Sequence, residues 1–149
     1  MILAPPLVLR LTGGREAYAA VLGVLLGLFV LRVVGQILAA TIAPRWLPPM
    51  PRWYSGLMPY RYLLPTQVAF IVLMAAMTLA VARGGSTLGA PGSVVAAWIV
   101  WASYVYAVGM AVRLVRYVLA PPERRGVFIP IVFHFVLAGF LFTYGSAGV

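Results

Sequence analysis

Four stretches of this chain, residues 17–43, 65–83, 92–119 and 127–144, stay apolar long enough to cross a bilayer, whose hydrocarbon core is about 30 Å thick and takes about 20 helical residues. In hydrocarbon each backbone N–H and C=O has to bond inside the protein, which makes each stretch a transmembrane helix. The expected fold is therefore all-α, an integral membrane four-helix bundle. Composition agrees, since 64% of the residues are hydrophobic and 9% charged, against about half and a quarter in a soluble domain.

Segments rich in Pro and Gly separate the runs: "APRWLPPMPRWYSGLMPYRYLLP", "RGGSTLGAPGS" and "APPERRG". None is long or polar enough for a second domain, and no repeat is evident, so residues 1–149 read as a single membrane domain. Arg10 and Arg15 ahead of the first run, and the small residues of "ATIA" near its end, resemble a signal peptide. The run is longer than such a peptide's apolar region and contains Arg32, so an uncleaved first span is expected.

The 11 basic residues are all Arg, and the only acids are Glu16 and Glu123. A net charge of +9 in a soluble protein would suggest nucleic acid. Here the arginines flank apolar runs, so the expected partners are membrane lipids with anionic headgroups, and no nucleic acid. Arg45, Arg52, Arg61, Arg113, Arg116, Arg124 and Arg125 fall on one side of the membrane; Arg10, Arg15 and Arg83 fall on the other. Arg-rich short loops stay in the cytoplasm, so both termini are expected on the non-cytoplasmic side. A bacterial-type inner or cytoplasmic membrane is the expected location. Cys and Asn are absent, which excludes disulfides, thiolate metal sites and N-glycosylation.

Arg32, in "LFVLRVVGQI", lies inside the first run. A charge at mid-bilayer costs about 3 kcal/mol on insertion scales, so Arg32 either snorkels to the interface or has a partner. Side chains on a helix lean toward its N-terminus, here the outer side, which opposes escape to the cytoplasm. No acid lies within the spans. A buried Arg32 needs a lipid phosphate, a cofactor carboxylate, an acidic residue of another subunit, or Glu123 folded back from its loop. Gln36 shares its helix face, and Tyr106 and His134 fall at a compatible depth on the third and fourth spans. Arg32, Gln36, Tyr106 and His134 are the candidate binding residues. Depth is readable here and helix rotation is not.

On the other face of the first helix stand Ala19, Gly23 and Gly27 at spacing four, with Gly35 further on. Small residues so spaced let helices approach closely. The first span is thus expected either at the centre of the bundle or against other membrane subunits or a second copy, through the Ala19/Gly23/Gly27 face.

His134, in "PIVFHFVLAG", reads either as an axial ligand to a haem or chlorophyll-type tetrapyrrole, with Ala138 and Gly139 leaving room, or as a neutral histidine bonded to a carbonyl or hydroxyl on a neighbouring helix. The loop over residues 44–64 interleaves Arg45, Arg52 and Arg61 with Trp46, Trp53, Tyr54, Tyr60 and Tyr62. It reads as an interfacial segment with rings at headgroup level, its prolines opposing a long helix. Thr66 and Gln67 would then begin the second helix beside a headgroup or quinone ring. Trp98 fits an outer aromatic belt, Trp101 and Tyr104 core or pigment contacts, and Met74 and Met77 core packing.

Paired carboxylates, a catalytic triad, a Cys nucleophile and a phosphate-binding Gly loop are missing from the sequence, as is an intramembrane carboxylate for ion-coupled transport. The leading expectation is a non-catalytic accessory or scaffold subunit of a membrane complex. The alternative is a binding protein for a quinone, a tetrapyrrole or an anionic phospholipid, and a further one is a small lipid-modifying enzyme or transporter.

With no native cysteine, single introduced cysteines report topology cleanly. Pro51→Cys should react with an impermeant maleimide only from the cytoplasmic face, and Gly148→Cys only from the opposite face. Labelling of both from one face would contradict this arrangement.

Overall fold

The computed structural model describes residues 5, 7–53, 59–85, 93–122 and 127–148. Its four long helices are α1 (Gly14–Thr41), α2 (Tyr60–Ala82), α3 (Val94–Leu119) and α4 (Phe128–Ala147), each long and apolar enough to cross a membrane. They alternate in direction and form an all-α transmembrane bundle packed in the order α2, α1, α4, α3, with α2 also touching α4. α1 is therefore central within the chain.

The helix ends follow local chemistry. Gly14 takes a positive φ of 57° as α1 begins, a conformation that glycine adopts without steric cost. At the far end the amides of Ile42 and Ala43 both bond to Leu38 O, and Pro44 cannot continue the helix. α3 is capped by Ser93, whose hydroxyl accepts from Ala96 N at 3.2 Å. α2 begins at Tyr60, earlier than the prolines of the preceding loop predict. The amides of Tyr62 and Leu63 bond to Pro59 O, and Pro65 lies near enough to the N-terminus to forfeit only the bond to Arg61 O.

The apolar core lies mostly toward the termini, and Phe29 and Val33 of α1 carry it to the level of Arg32. Leu22, Phe29 and Val33 of α1 meet Met74, Met77 and Val81 of α2 and Phe140 and Tyr144 of α4, so Met74 and Met77 pack as the sequence predicts. The tightest helix contact is between α3 and α4. A Cβ on Gly145 would lie 3.0 Å from Val100 N and 3.1 Å from Ala96 O, backbone atoms that cannot step aside.

Two non-helical segments lie against the helices. Residues 7–11 run along the α3/α4 side as a strap: Tyr104 OH donates to Leu7 O, Tyr18 OH donates to Leu9 O, and Leu9 N donates to Ser146 Oγ. These side chains satisfy backbone groups that lack a helix of their own. Nothing in the apolar pattern announced this strap, which gives Tyr104 a backbone partner. Trp53 corrects another expectation. Instead of lying at the headgroups it is buried, its ring on Gly35 and its Nε1 donating to Pro48 O at 2.8 Å. Trp46 is 76% exposed, as an interfacial ring should be.

The glycines of α1 thus divide. Gly35 is the seat for Trp53, while Gly23 and Gly27 are exposed with open space where a Cβ would go. Gly145→Ala is expected to destabilise the detergent-solubilised protein by about 1–3 kcal/mol through overpacking. Gly27→Ala should be neutral or stabilising, since Ala gains up to about 1 kcal/mol over Gly in a helix. Denaturant unfolding followed by tryptophan fluorescence checks both, and a reversed order would show that α3 and α4 do not meet at Gly145.

Candidate functional site

Opposite the apolar core, in the half of the bundle nearer the connecting loops, the four helices and Trp53 enclose a cavity of about 190 Å³. Phe29 and Arg32 come from α1, Leu63, Gln67 and Phe70 from α2, Tyr106 from α3, and Pro130, Phe133, His134 and Leu137 from α4. Among the described residues no carboxylate lines it.

Arg32 does not snorkel. It lies about 14 Å along the axis from Thr41 and is 8% exposed. Its side chain folds along its own helix toward Gln36, with Nη1 to Oε1 at 3.5 Å, and its guanidinium carbon stands 5.7 Å from the Phe133 ring centroid. A cation–π contact contributes about 0.5–2 kcal/mol, and a 3.5 Å hydrogen bond is weak. Together they fall short of the cost of the buried charge. Glu16 is exposed at the far end of α1, and Glu123 lies outside the described residues.

Among the described residues, three buried polar atoms in this region have no hydrogen-bond partner: Arg32 Nε, Gln36 Nε2 and Gln67 Oε1. Arg32 and Gln67 face the cavity, while Gln36, fully buried, stands behind Arg32. Each such atom costs about 1–3 kcal/mol when left unsatisfied, and buried polar groups in folded proteins are seldom left so. The set comprises two donors and one acceptor in a low-dielectric setting, where a complementary group would bind strongly.

Across the cavity Tyr106 OH and His134 Nδ1 form a hydrogen bond between α3 and α4, their rings edge to face at 5.8 Å. The bond occupies one ring nitrogen and leaves Nε2 as the other polar atom of His134. This is the histidine bonded to a neighbouring hydroxyl that the sequence allowed.

The structure therefore gathers Arg32, Tyr106 and His134 on one wall system, with Gln36 bonded behind. Gln67, which the sequence set beside a headgroup or quinone ring, lines the same cavity, and the structure adds Trp53 and Phe133, which sequence reasoning did not place there. Gln67 carried a visible signal, a carboxamide in an otherwise apolar helix. Trp53 carried none, because its place depends on how the loop returns.

Size restricts what fits. An engineered cavity of about 150 Å³ admits one benzene, so this one suits a single ring or a phosphate-sized head. A Cβ on Gly139 would lie 3.9 Å from Leu25, in ordinary van der Waals contact. Among the described residues no cluster of His, Asp and Glu could hold a metal ion.

No protein-family model, characterised protein or solved structure matches this chain.

Arg32→Met removes a charge that has no counter-ion among the described residues. In delipidated protein the substitution should leave stability unchanged or raise it by up to about 3 kcal/mol, measured by denaturation in mixed micelles. A loss of about 2 kcal/mol or more would mean that the guanidinium already has a strong partner.

Proposed function

We propose that this protein binds a lipid-soluble ligand with an oxyanion head, a phosphate or a carboxylate, in the cavity between its four helices. The observation that carries this reading is the buried Arg32 guanidinium, which has no acid beside it among the described residues, while its Nε and the neighbouring Gln36 Nε2 find no acceptor among them. An oxyanion supplies both the charge and the acceptors in one group, and charge-assisted bonds of this kind are about twice as strong as neutral ones. A quinone carbonyl would satisfy the donors but leave the charge unneutralised. Gln67 Oε1, the unpartnered acceptor, favours a head that also carries an O–H or N–H. Tyr106 and His134 complete the wall and orient the head. With the Arg-rich loops in the cytoplasm of a bacterial-type inner membrane, the ligand would be drawn from the inner leaflet.

A second reading, an accessory subunit of a larger membrane complex, is supported by the exposure of Gly23 and Gly27 on the central helix. Bare helix backbone of this sort suits close packing of another helix, from a partner subunit or a second copy, beside Ala19. The two readings are compatible, because this face and the cavity lie on different sides of α1.

One preparation tests both. The protein, isolated from native membranes in mild detergent, should carry an anionic amphiphile at near one per chain by mass spectrometry, and Arg32→Met should lose it while remaining folded. Gly27→Ile should release a co-purifying subunit or second copy and keep the ligand. A wild-type preparation with no amphiphile enriched over bulk lipid would defeat the binding reading; a neutral quinone in its place would correct the head.

A further inference from the structure

Among the described residues, the unsatisfied atoms around the cavity are of opposite kinds. Arg32 Nε and Gln36 Nε2 are donors, whereas Gln67 Oε1 is an acceptor. A fully ionised carboxylate or phosphate answers the donors and leaves the acceptor as it was, because it has no hydrogen to give. Gln67 is 4% exposed and lines, from α2, the same cavity that Arg32 lines from α1. Its last side-chain torsion is broad and roughly two-fold, so the carboxamide can turn Oε1 toward an occupant of the space. Neighbouring donors are already engaged elsewhere: Trp53 Nε1 donates to Pro48 O, Thr66 Oγ1 donates to Tyr62 O, and Tyr106 OH is bonded to His134 Nδ1. The hydrogen that Gln67 lacks has to come from the ligand.

We infer that the ligand's head is a terminal phosphate held as its monoanion, its ionised oxygens accepting from the Arg32 guanidinium and its remaining P–OH donating to Gln67 Oε1. This rests on the oxyanion-binding reading of the cavity. Among the described residues Arg32 is the only lining side chain with a permanent charge. One negative charge on the head is therefore matched, and a second would stay unpaired in a dry site. A phosphate monoester loses its second proton near pH 6 in water; burial beside a single cation opposes that loss, and the bond to Gln67 holds the proton in place. A carboxylate that carries its charge has no such proton, and neither does the ionised phosphate of a diester. Gln67 is thus the specificity-determining residue, selecting phosphate monoesters among anionic amphiphiles. Inorganic phosphate offers the same group from the aqueous side.

Three probes of one chain length test this with delipidated protein in phosphatidylcholine nanodiscs, the bound fraction read by native mass spectrometry. They are hexadecyl phosphate, hexadecanol, and hexadecyl methylphosphonate, in which a methyl replaces the P–OH and one negative charge remains. Hexadecyl phosphate should bind on the order of tenfold more tightly than the methylphosphonate, the ratio that one hydrogen bond to a buried acceptor gives, and the methylphosphonate more tightly than hexadecanol. Gln67→Met should erase the first difference and keep the second; Arg32→Met should erase both. The phosphorus-31 shift of bound hexadecyl phosphate should stay at its monoanion position between about pH 5 and about pH 8, across the second ionisation of the free ester. Displacement by inorganic phosphate at comparable concentration would support the protonated head and assign its source to the free ion; failure to displace would support it and assign the source to the membrane. Equal binding of hexadecyl phosphate and the methylphosphonate, a difference that survives in Gln67→Met, or a bound signal that follows the free ester to the dianion would overturn the inference and leave the oxyanion reading standing. Equal binding of all three probes would remove that reading as well.

Discussion

A guanidinium held away from water governs the inner half of this protein. Arg32 is 8% exposed on a central transmembrane helix, and the contacts around it, one long bond to Gln36 and the face of Phe133, are too weak to offset the loss of hydration. The surrounding structure makes sense as a housing for it. Trp53 folds back over Gly35, Gln67 turns inward from α2, and Tyr106 and His134 join α3 to α4 on the facing side. Each helix contributes to enclosing a region that none of them needs for apolar packing.

Most of the apolar core and the polar cavity lie at different depths along the membrane normal and meet at Phe29. The half nearer the termini holds the methionine and aromatic core, the close backbone contact at Gly145 and the N-terminal strap. There the protein gains its dispersion energy without polar cost.

The sequence disclosed the four spans and the depth of every polar residue in them, because hydropathy and helical rise are one-dimensional quantities. It could not disclose rotation. Arg32, Tyr106 and His134 line one cavity because α3 and α4 turn these side chains inward, and that depends on contacts such as Gly145 against Val100. Gly35 shows the limit clearly: it resembled a continuation of the Gly23 and Gly27 series, yet at about 100° per residue it sits about 60° from Arg32, where Trp53 covers it. The start of α2 before Pro65, the inward turn of Trp53 and the strap at residues 7–11 were illegible for a related reason. Each depends on where a loop returns or which side chain reaches a backbone group, and neither leaves a periodic trace.

The central claim is that the Arg32 side chain sits dry inside the bundle and bonds an anion there. Nitrogen-15 NMR of arginine-labelled protein in bilayers measures this directly, with the Arg32 resonance assigned by its loss in Arg32→Lys. The account predicts a guanidinium signal with no water cross-peak and slow proton exchange, coupled through space to a phosphorus or carboxylate carbon. A signal exchanging with water as fast as that of the exposed Arg52, with no anion nearby, would contradict it.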